Sequence, residues 1–495
     1  MVIIDRSDSR TDRKLKILIS LFLIIILSIS LFTISSEPLQ ESNDAPEESP
    51  VPVKLLYTMH APIYIDGDSG FLGPNASTGI SWGSGTVSDP YIIDGWDINA
   101  SLATGIDIRN SDVYFLVRNC YLHGGSSSLC DGIHIFNCTN GMISNNNCSS
   151  NYVGIELSLS DDNSIVNNSC FGNTRYGLTL SCSSNNTIRN NVCELNDDGL
   201  HLSSQSNYNV IDDNEFPFNN IGIYLEYWAF YNTIQNHVIT NCQYGIRLDG
   251  NSDNNVIINN TLENSEANIF AWQSRNHIIG NIISGGMRGI YLLGTGGLID
   301  SNLIMNANIG AYLRLSSGVE VKNNTFTNNG LGVFVYESGS VNFAMNNLSG
   351  NSVGITINTA DSIDITKNEL FYNSGYGIEI GLGSLDIQMW NNTFIGNNGA
   401  GSTYDPSHVQ AYDDGTDNWW NSASGYGNWW SDWRAPDDNW DGIVDIPYNI
   451  SGSAGAKDYY PQTVPGTPIP EPSILILAGI MMMIFLIVGR TRKRR

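Results

Sequence analysis

The chain has 495 residues, of which 15% are charged, and 49 are glycine. A long helical protein would instead be rich in Ala, Glu, Lys and Leu. A net charge of −26 repels phosphate backbones and argues against nucleic acid as a partner.

Residues 1–36 open with Arg6, Arg10, Arg13, Lys14 and Lys16, followed by the apolar run Ile17–Ile34. That length is at the lower limit for a membrane-spanning helix and a little long for a signal-peptide core. The basic flank places the N-terminus in the cytoplasm. Signal peptide and retained signal anchor both remain open. Residues 37–56, with EPLQESNDAPEESP, form an acidic, Pro-containing spacer that has too few apolar residues to bury a core.

Residues 57–104 are read as an N-terminal cap with the first coils. From 105 to 397 a phrase of the form Gly, apolar, any, apolar recurs: GIDI at Gly105, GIHI at Gly132, GIEL at Gly154, and so on to GIEI at Gly377. There are thirteen copies, and every interval after the first is 21–23 residues. Apolar residues two apart face one side of a strand. Between the copies lies a second phrase, as in NTIRNNVC and NVIINNTL. Its recurring Asn, at Asn146, Asn168, Asn191, Asn214, Asn236, Asn260 and onward to Asn392, suits a tight turn and a stack of side-chain amides. About 22 residues with two strand signals is one rung of a solenoid, which buries its apolar face only by stacking on its neighbours. The predicted fold is therefore all-β: a right-handed parallel β-helix of about thirteen coils, the hand following the general crossover rule. Transmembrane segments are expected at both ends.

Cys120, Cys148, Cys170 and Cys193 fall at inward positions of successive coils in this reading. Their parallel Cβ vectors suit a reduced stack better than disulfides. No His or Met stands beside them in the repeat register, as a copper site would need. N-x-S/T sequons from Asn75 to Asn449 allow glycosylation of an exported chain.

The outward residue of each phrase forms a ladder of Asp107, His134, Glu156, Thr179, His201, Tyr224, Arg247, Phe270, Tyr291, Tyr312, Phe334, Thr356 and Glu379. Its first part is ionisable and its later part aromatic. Tyr224, Arg247, Tyr291, Tyr312 and Phe334 are the candidate ligand-binding residues of a glycan-facing groove. Aromatics also favour exposed strands for their β-propensity alone. No catalytic residue is assigned outright. The candidates are Asp197, Asp198 and His201 in NDDGLHL, with Asp131 and His134 in DGIHI. Carboxylates on neighbouring coils suit an inverting glycosidase if ~6.5–9.5 Å apart.

Residues 398–462, rich in Trp and Asp, are placed to cap the open coil edge. Within them Asp437, Asn439, Asp441 and Asp445 follow a D-x-N-x-D-G-x-x-D spacing. This is compatible with a calcium loop, though Tyr448 replaces the twelfth-position Glu, and equally with a plain Asp-rich turn. Calcium is the one cofactor suggested, and none is certain.

Residues 463–473 are a Pro-rich spacer containing PEPS, and 474–495 hold the apolar run Ile474–Val488 and the tail RTRKRR. Positive charge at both ends puts the body of the chain outside the cell membrane. Pro470, Glu471, Pro472, the helix and the Arg cluster resemble the PEP-CTERM sorting signal, which implies processing by a membrane transpeptidase. The opening SWGSGTVSDPYIIDGWDINAS and the closing GNWWSDW, DGIVDIPY and DYYP resemble archaeal surface proteins with NosD-like β-helix domains. That resemblance covers roughly residues 60–462 and implies a right-handed β-helix on the cell exterior. The expected function is a surface-anchored structural or adhesive protein with a glycan-facing side, its partners the membrane and envelope polysaccharides. A polysaccharide hydrolase or lyase on the same fold is the alternative, and a NosD-like copper accessory role a further one.

Overall fold

The computed structural model describes residues 57–465 apart from 76–77, 128–129 and 273–274. The runs Ile17–Ile34 and Ile474–Val488, the acidic spacer before Tyr57, and the sorting residues Pro470, Glu471 and Pro472 lie outside the described residues. Among the described residues no helix is long and apolar enough to cross a membrane.

Each coil bends through three short strands, one more than the two signals read from the sequence. The second phrase is itself two strands, as in Thr187–Arg189 and Val192–Glu194, hinged at Asn190 and Asn191. Stacking the coils builds three sheets of 15, 15 and 16 strands. We call them the glycine sheet, carrying the GIxL phrases from Ile106–Ser111 to Ile378–Ile380, the second sheet, which includes Thr187–Arg189, and the third sheet, which includes Val192–Glu194. The result is a right-handed-type parallel β-solenoid of about thirteen turns. Like residues stack in register, as Ile165 on Ile188 and Leu178 on Leu200, all four fully buried. Each such side chain contributes about 1.5–3 kcal/mol by leaving water.

The NN pair divides two tasks at the corner. Its first residue takes the left-handed backbone, with φ 59° at Asn167 and 54° at Asn190, a region that Asn tolerates better than most side chains. Its second residue forms a buried amide ladder. Both the backbone N–H and Nδ2 of Asn168 donate to Oδ1 of Asn191, at 2.9 and 3.0 Å. Asn191 repeats this to Asn214 at 2.8 and 2.9 Å. The corner therefore buries polar groups that are fully paired. At one coil the ladder residue is His237 and not Asn236: Asn214 N donates to His237 Nδ1 at 3.0 Å, while Asn236 takes the left-handed position at φ 61°. The register is unbroken there, His237 N donating to Asn260 Oδ1 at 3.0 Å; QNHV places Asn at the left-handed position and His at the ladder position.

A similar correction applies to Cys120. Leu122, not Cys120, pairs with Cys148 in the third sheet. Cys120 instead stands in the amide ladder, its N–H donating to Asn146 Oδ1 at 3.0 Å. Cys148, Cys170 and Cys193 do stack inward, and all eight cysteines are free.

Both core ends are covered. At the start, Phe71 stacks on Tyr91 at 5.0 Å and on Phe115 at 5.7 Å. At the other end, Trp430 lies between Phe394, at 4.1 Å, and Tyr448, at 4.0 Å. Its indole N–H donates to the buried Asp458 at 3.0 Å, and Trp420 donates to the buried Asp413 at 2.9 Å.

Candidate functional site

The glycine sheet sets the outward ladder in a single column. Asp107 pairs with His134, His134 with Glu156, Glu156 with Thr179, Thr179 with His201, and His201 with Tyr224. The column runs on through Arg247, Phe270, Tyr291, Tyr312, Phe334, Thr356 and Glu379. A second outward position two residues on adds Arg109, Glu226 and Asp249, and Tyr176 pairs with Asp198 on the near side. These four, Arg109, Tyr176, Glu226 and Asp249, were missed in the sequence. Extending the alternation of GIYL by one step, to Glu226, would have found the central one.

His201 is the hub of a polar cluster on this face. It is only 4% exposed, with its ring against Tyr176 at 4.5 Å and Tyr224 at 5.2 Å. Its Nε2 lies 3.2 Å from Glu226 Oε1, and its Nδ1 3.5 Å from the Thr179 hydroxyl. The Tyr224 hydroxyl donates to Glu226 Oε2 at 2.7 Å and lies 3.3 Å from Asp249 Oδ2. Arg247 closes the group through a 2.6 Å ion pair with Asp249 and lies over the Tyr224, Tyr244 and Phe270 rings at 5.1–5.7 Å.

The two carboxyl groups here are driven apart in acidity. Burial, then the charges of Asp197 and Glu226, push Asp198 up to about 7. Burial works against ionised Glu226 too, but the hydrogen bonds of His201 and Tyr224 outweigh it and hold that carboxyl below its usual range. A proton-holding acid beside an ionised carboxylate and an imidazole is an arrangement fit for proton transfer, and equally for hydrogen bonding to hydroxyls. Asp197 is turned outward, accepting from Asn220 Nδ2 at 3.1 Å.

The other candidates form a separate group three coils earlier. His134 Nδ1 lies 3.1 Å from Asp107, which also accepts from Arg109 Nε at 2.9 Å. Burial and the charge of Glu156 push Asp131 up to about 7. Three coil steps separate Asp131 from Asp198, about 14 Å at the strand spacing. That exceeds the ~6.5–9.5 Å of an inverting acid–base pair. The structure therefore does not bring these two aspartates together.

In the later part of the ladder the ring faces turn to one another. Tyr291 stacks on Tyr312 at 5.0 Å and 13°, and Tyr312 on Phe334 at 5.1 Å and 7°. Their edges and hydroxyls, not their faces, meet solvent.

In the cap, the oxygens of Asp437, Asn439, Asp441 and Asp445 are engaged within their own loop. Asp437 accepts from the Asp441 and Gly442 amides at 3.2 and 3.1 Å, Asn439 from the Asp441 amide at 3.0 Å, Asp441 from the Ile443 amide at 2.9 Å, and Asp445 from the Asp438 amide at 2.7 Å.

Residues 81–270 and 230–435 match the family described as periplasmic copper-binding protein (NosD). The chain belongs to the NosD family. Copper in such a family calls for converging thiolate, thioether or imidazole ligands. Among the described residues no three His, Cys, Asp or Glu side chains group to hold a metal ion. His134 and His201 are instead engaged with carboxylates, and Cys148, Cys170 and Cys193 are sealed in the core. The described residues of this family member do not fit copper.

No curated protein matches the chain. Among solved structures, it is similar to the A-module of Azotobacter vinelandii mannuronan C-5 epimerase AlgE6, at 15% identity over 66% of this chain and 88% of that one, with a TM-score of 0.34. It is similar to PfbA, a surface adhesin of Streptococcus pneumoniae, at 11% identity over 61% and 82%, with a TM-score of 0.29. It is also similar to the tailspike protein of E. coli bacteriophage HK620, at 10% identity over 66% and 70%, with a TM-score of 0.33. Likenesses this distant say nothing of what this chain does.

Proposed function

We propose that this NosD-family chain is a surface-anchored, non-catalytic binding protein, and that the outer face of its glycine sheet holds an extended polysaccharide. The observation that carries this is the unbroken outward column from Asp107 to Glu379. Thr179, His201 and Thr356 are buried in it; the others offer carboxylates, the His134 imidazole, phenols and Arg247 along the sheet, an array suited to a periodic polymer. Tyr224 and Arg247 present hydrogen-bonding groups, and Tyr291, Tyr312 and Phe334 a stiff apolar edge. The tether rests on the terminal segments: two apolar runs with basic flanks on the cytoplasmic side, and a PEPS motif of the type that a sorting transpeptidase recognises. Together with the opening and closing motifs, they support the exterior of an archaeal envelope as its place. The test is affinity electrophoresis of the detergent-solubilised chain in gels containing single polysaccharides. Retention should weaken on Tyr291→Asn together with Tyr312→Asn; retention untouched by that change would oppose the reading.

A second reading, a polysaccharide hydrolase or lyase, is favoured by one observation, the near-neutral Asp198 beside the His201–Glu226 pair. New reducing or unsaturated ends that disappear in Asp198→Asn would establish it.

A further inference from the structure

The corner that leads from the glycine sheet to the second sheet carries aromatic residues where the backbone least favours them. Each of these turns places residues in the left-handed region. In the coil of His201 they are Ser204 (φ 54°), Gln205 (φ 68°) and Tyr208 (φ 56°). One coil on they are Tyr227 (φ 51°), Trp228 (φ 67°) and Tyr231 (φ 54°), and one further Gly250 (φ 57°), Asn251 (φ 64°) and Asn254 (φ 56°). The two earlier coils put Asp162 and Asn185 where Tyr208 stands. Gly, Asn, Asp and Ser are what this geometry accepts most readily, though Leu159, Leu315 and Glu337 also adopt it at this corner. Neighbouring coils of the same chain thus show the turn made without aromatics.

Nor do these side chains serve the core. Tyr208 is 57% exposed, Tyr227 55%, Tyr231 50% and Trp228 49%. Tyr208 and Tyr231 stack in parallel at 5.2 Å and 6°, a rigid slab standing on the surface. Strand propensity does not account for them, because they lie in turns and not in strands. Tyr227 directly follows Glu226, so the patch continues the His201 cluster around the corner of the same two coils.

We propose that Tyr208, Tyr227, Trp228 and Tyr231 form a platform that stacks on the rings of a neutral polysaccharide. This rests on the reading of the glycine sheet as glycan-facing and names its ligand class. The outer faces of the Tyr208–Tyr231 stack and the exposed Tyr227 and Trp228 rings match the C–H faces of pyranose rings, while Glu226 next to Tyr227 accepts from hydroxyls. That carboxylate, in a chain of net charge −26, repels polyuronates and anionic lipid surfaces.

The test is a variant with Tyr208→Asn, Tyr227→Asn, Trp228→Asn and Tyr231→Asn, with Trp228→Asn alone as a milder companion. Asparagine stands at the Trp228 position as Asn251 and at the Tyr208 and Tyr231 position as Asn185 and Asn254, and it tolerates the left-handed backbone that Tyr227 adopts, so the thermal midpoint should stay level or rise. Affinity electrophoresis of the detergent-solubilised full chain would use neutral glucan, mannan and galactan, with polygalacturonate alongside. The expected result is retention by a neutral polymer, weakened about tenfold or more in the fourfold variant and by a smaller factor in the single one. Undiminished retention of the variants, or preference for polygalacturonate, would overturn the platform. If the Tyr291→Asn, Tyr312→Asn protein loses retention while the corner variants keep it, the platform alone falls. If the unaltered chain is retained by no polymer, both readings fall.

Discussion

His201 Nε2 lies 3.2 Å from the carboxylate of Glu226, one coil further along the solenoid. His201 is outward on its strand and Glu226 lies just past the end of the next coil's strand, Ile221–Leu225, and only stacking brings them together. Glu226→Gln removes the charge that opposes ionisation of Asp198 and leaves one acceptor oxygen where His201 and Tyr224 each had one. The carboxyl of Asp198 should then titrate lower than in the unaltered chain, and a carbon-13 titration of labelled Asp would show it. An unmoved titration would mean that burial and the charge of Asp197 set its acidity without Glu226.

Asp131, Asp198 and Asp458 are each pushed up to about 7, mainly by burial. An unfolded aspartate titrates near ~3.9. Protonation is thus favoured in the folded state, and its contribution is fully present below that value and lost as pH rises through about 7. Thermal stability should therefore increase as pH falls from 8 to 5. Asp198→Asn should flatten part of that slope. A midpoint that drops steadily over this interval would contradict the assignment.

Asn191→Ala should be among the most damaging single changes in the solenoid. It leaves the backbone N–H of Asn168 without its partner and takes the side-chain donor from the carbonyl of Ile165 and from Asn214 Oδ1, while Asn168 Nδ2 keeps the carbonyls of Ile143 and Val166. At about 1–3 kcal/mol for each orphaned buried group, partly offset by water entry, a loss of about 3 kcal/mol is expected. Denaturant unfolding measures it. His237→Asn, which restores the prevailing ladder residue, should change stability by less than about 1 kcal/mol.

How much of this was legible follows from what repeats. The GIxL alternation and the 21–23 residue period reveal the coil, the core and the outward column, because stacking forces like positions into register. The third strand was hidden: a three-residue strand such as Thr187–Arg189 has only one inward residue, and its Asn hinge reads as turn. Asn236 and Cys120 were misplaced by one and two positions because a neighbouring residue of suitable type stood at the true site. The cluster partners Glu226 and Asp249 lie past the repeating phrase, so nothing periodic announces them. The aromatic corner was invisible for a different reason: left-handed backbone at Tyr227 and Trp228 has no sequence signature.

Cys182 is the one exposed cysteine; the other seven are buried. A thiol-reactive chromophore should therefore label one site in the folded chain and eight after denaturation. Fast labelling of several sites in the native chain would mean that the core of the early coils opens readily.

Trp430→Ala should cost about 3–5 kcal/mol, since the indole fills the core end between Phe394 and Tyr448. It should also promote self-association through the uncovered coil edge. Thermal unfolding with light scattering reports both. A variant of unchanged stability would show that the cap closes without its indole.

The most direct measurement incubates the detergent-solubilised chain with neutral and acidic polysaccharides, with and without calcium, and follows retention together with new reducing or unsaturated ends. The account predicts retention by a neutral polymer, no new ends, and no effect of calcium. Release of new ends by the unaltered chain, abolished by Asp198→Asn, would contradict it and make the chain an enzyme.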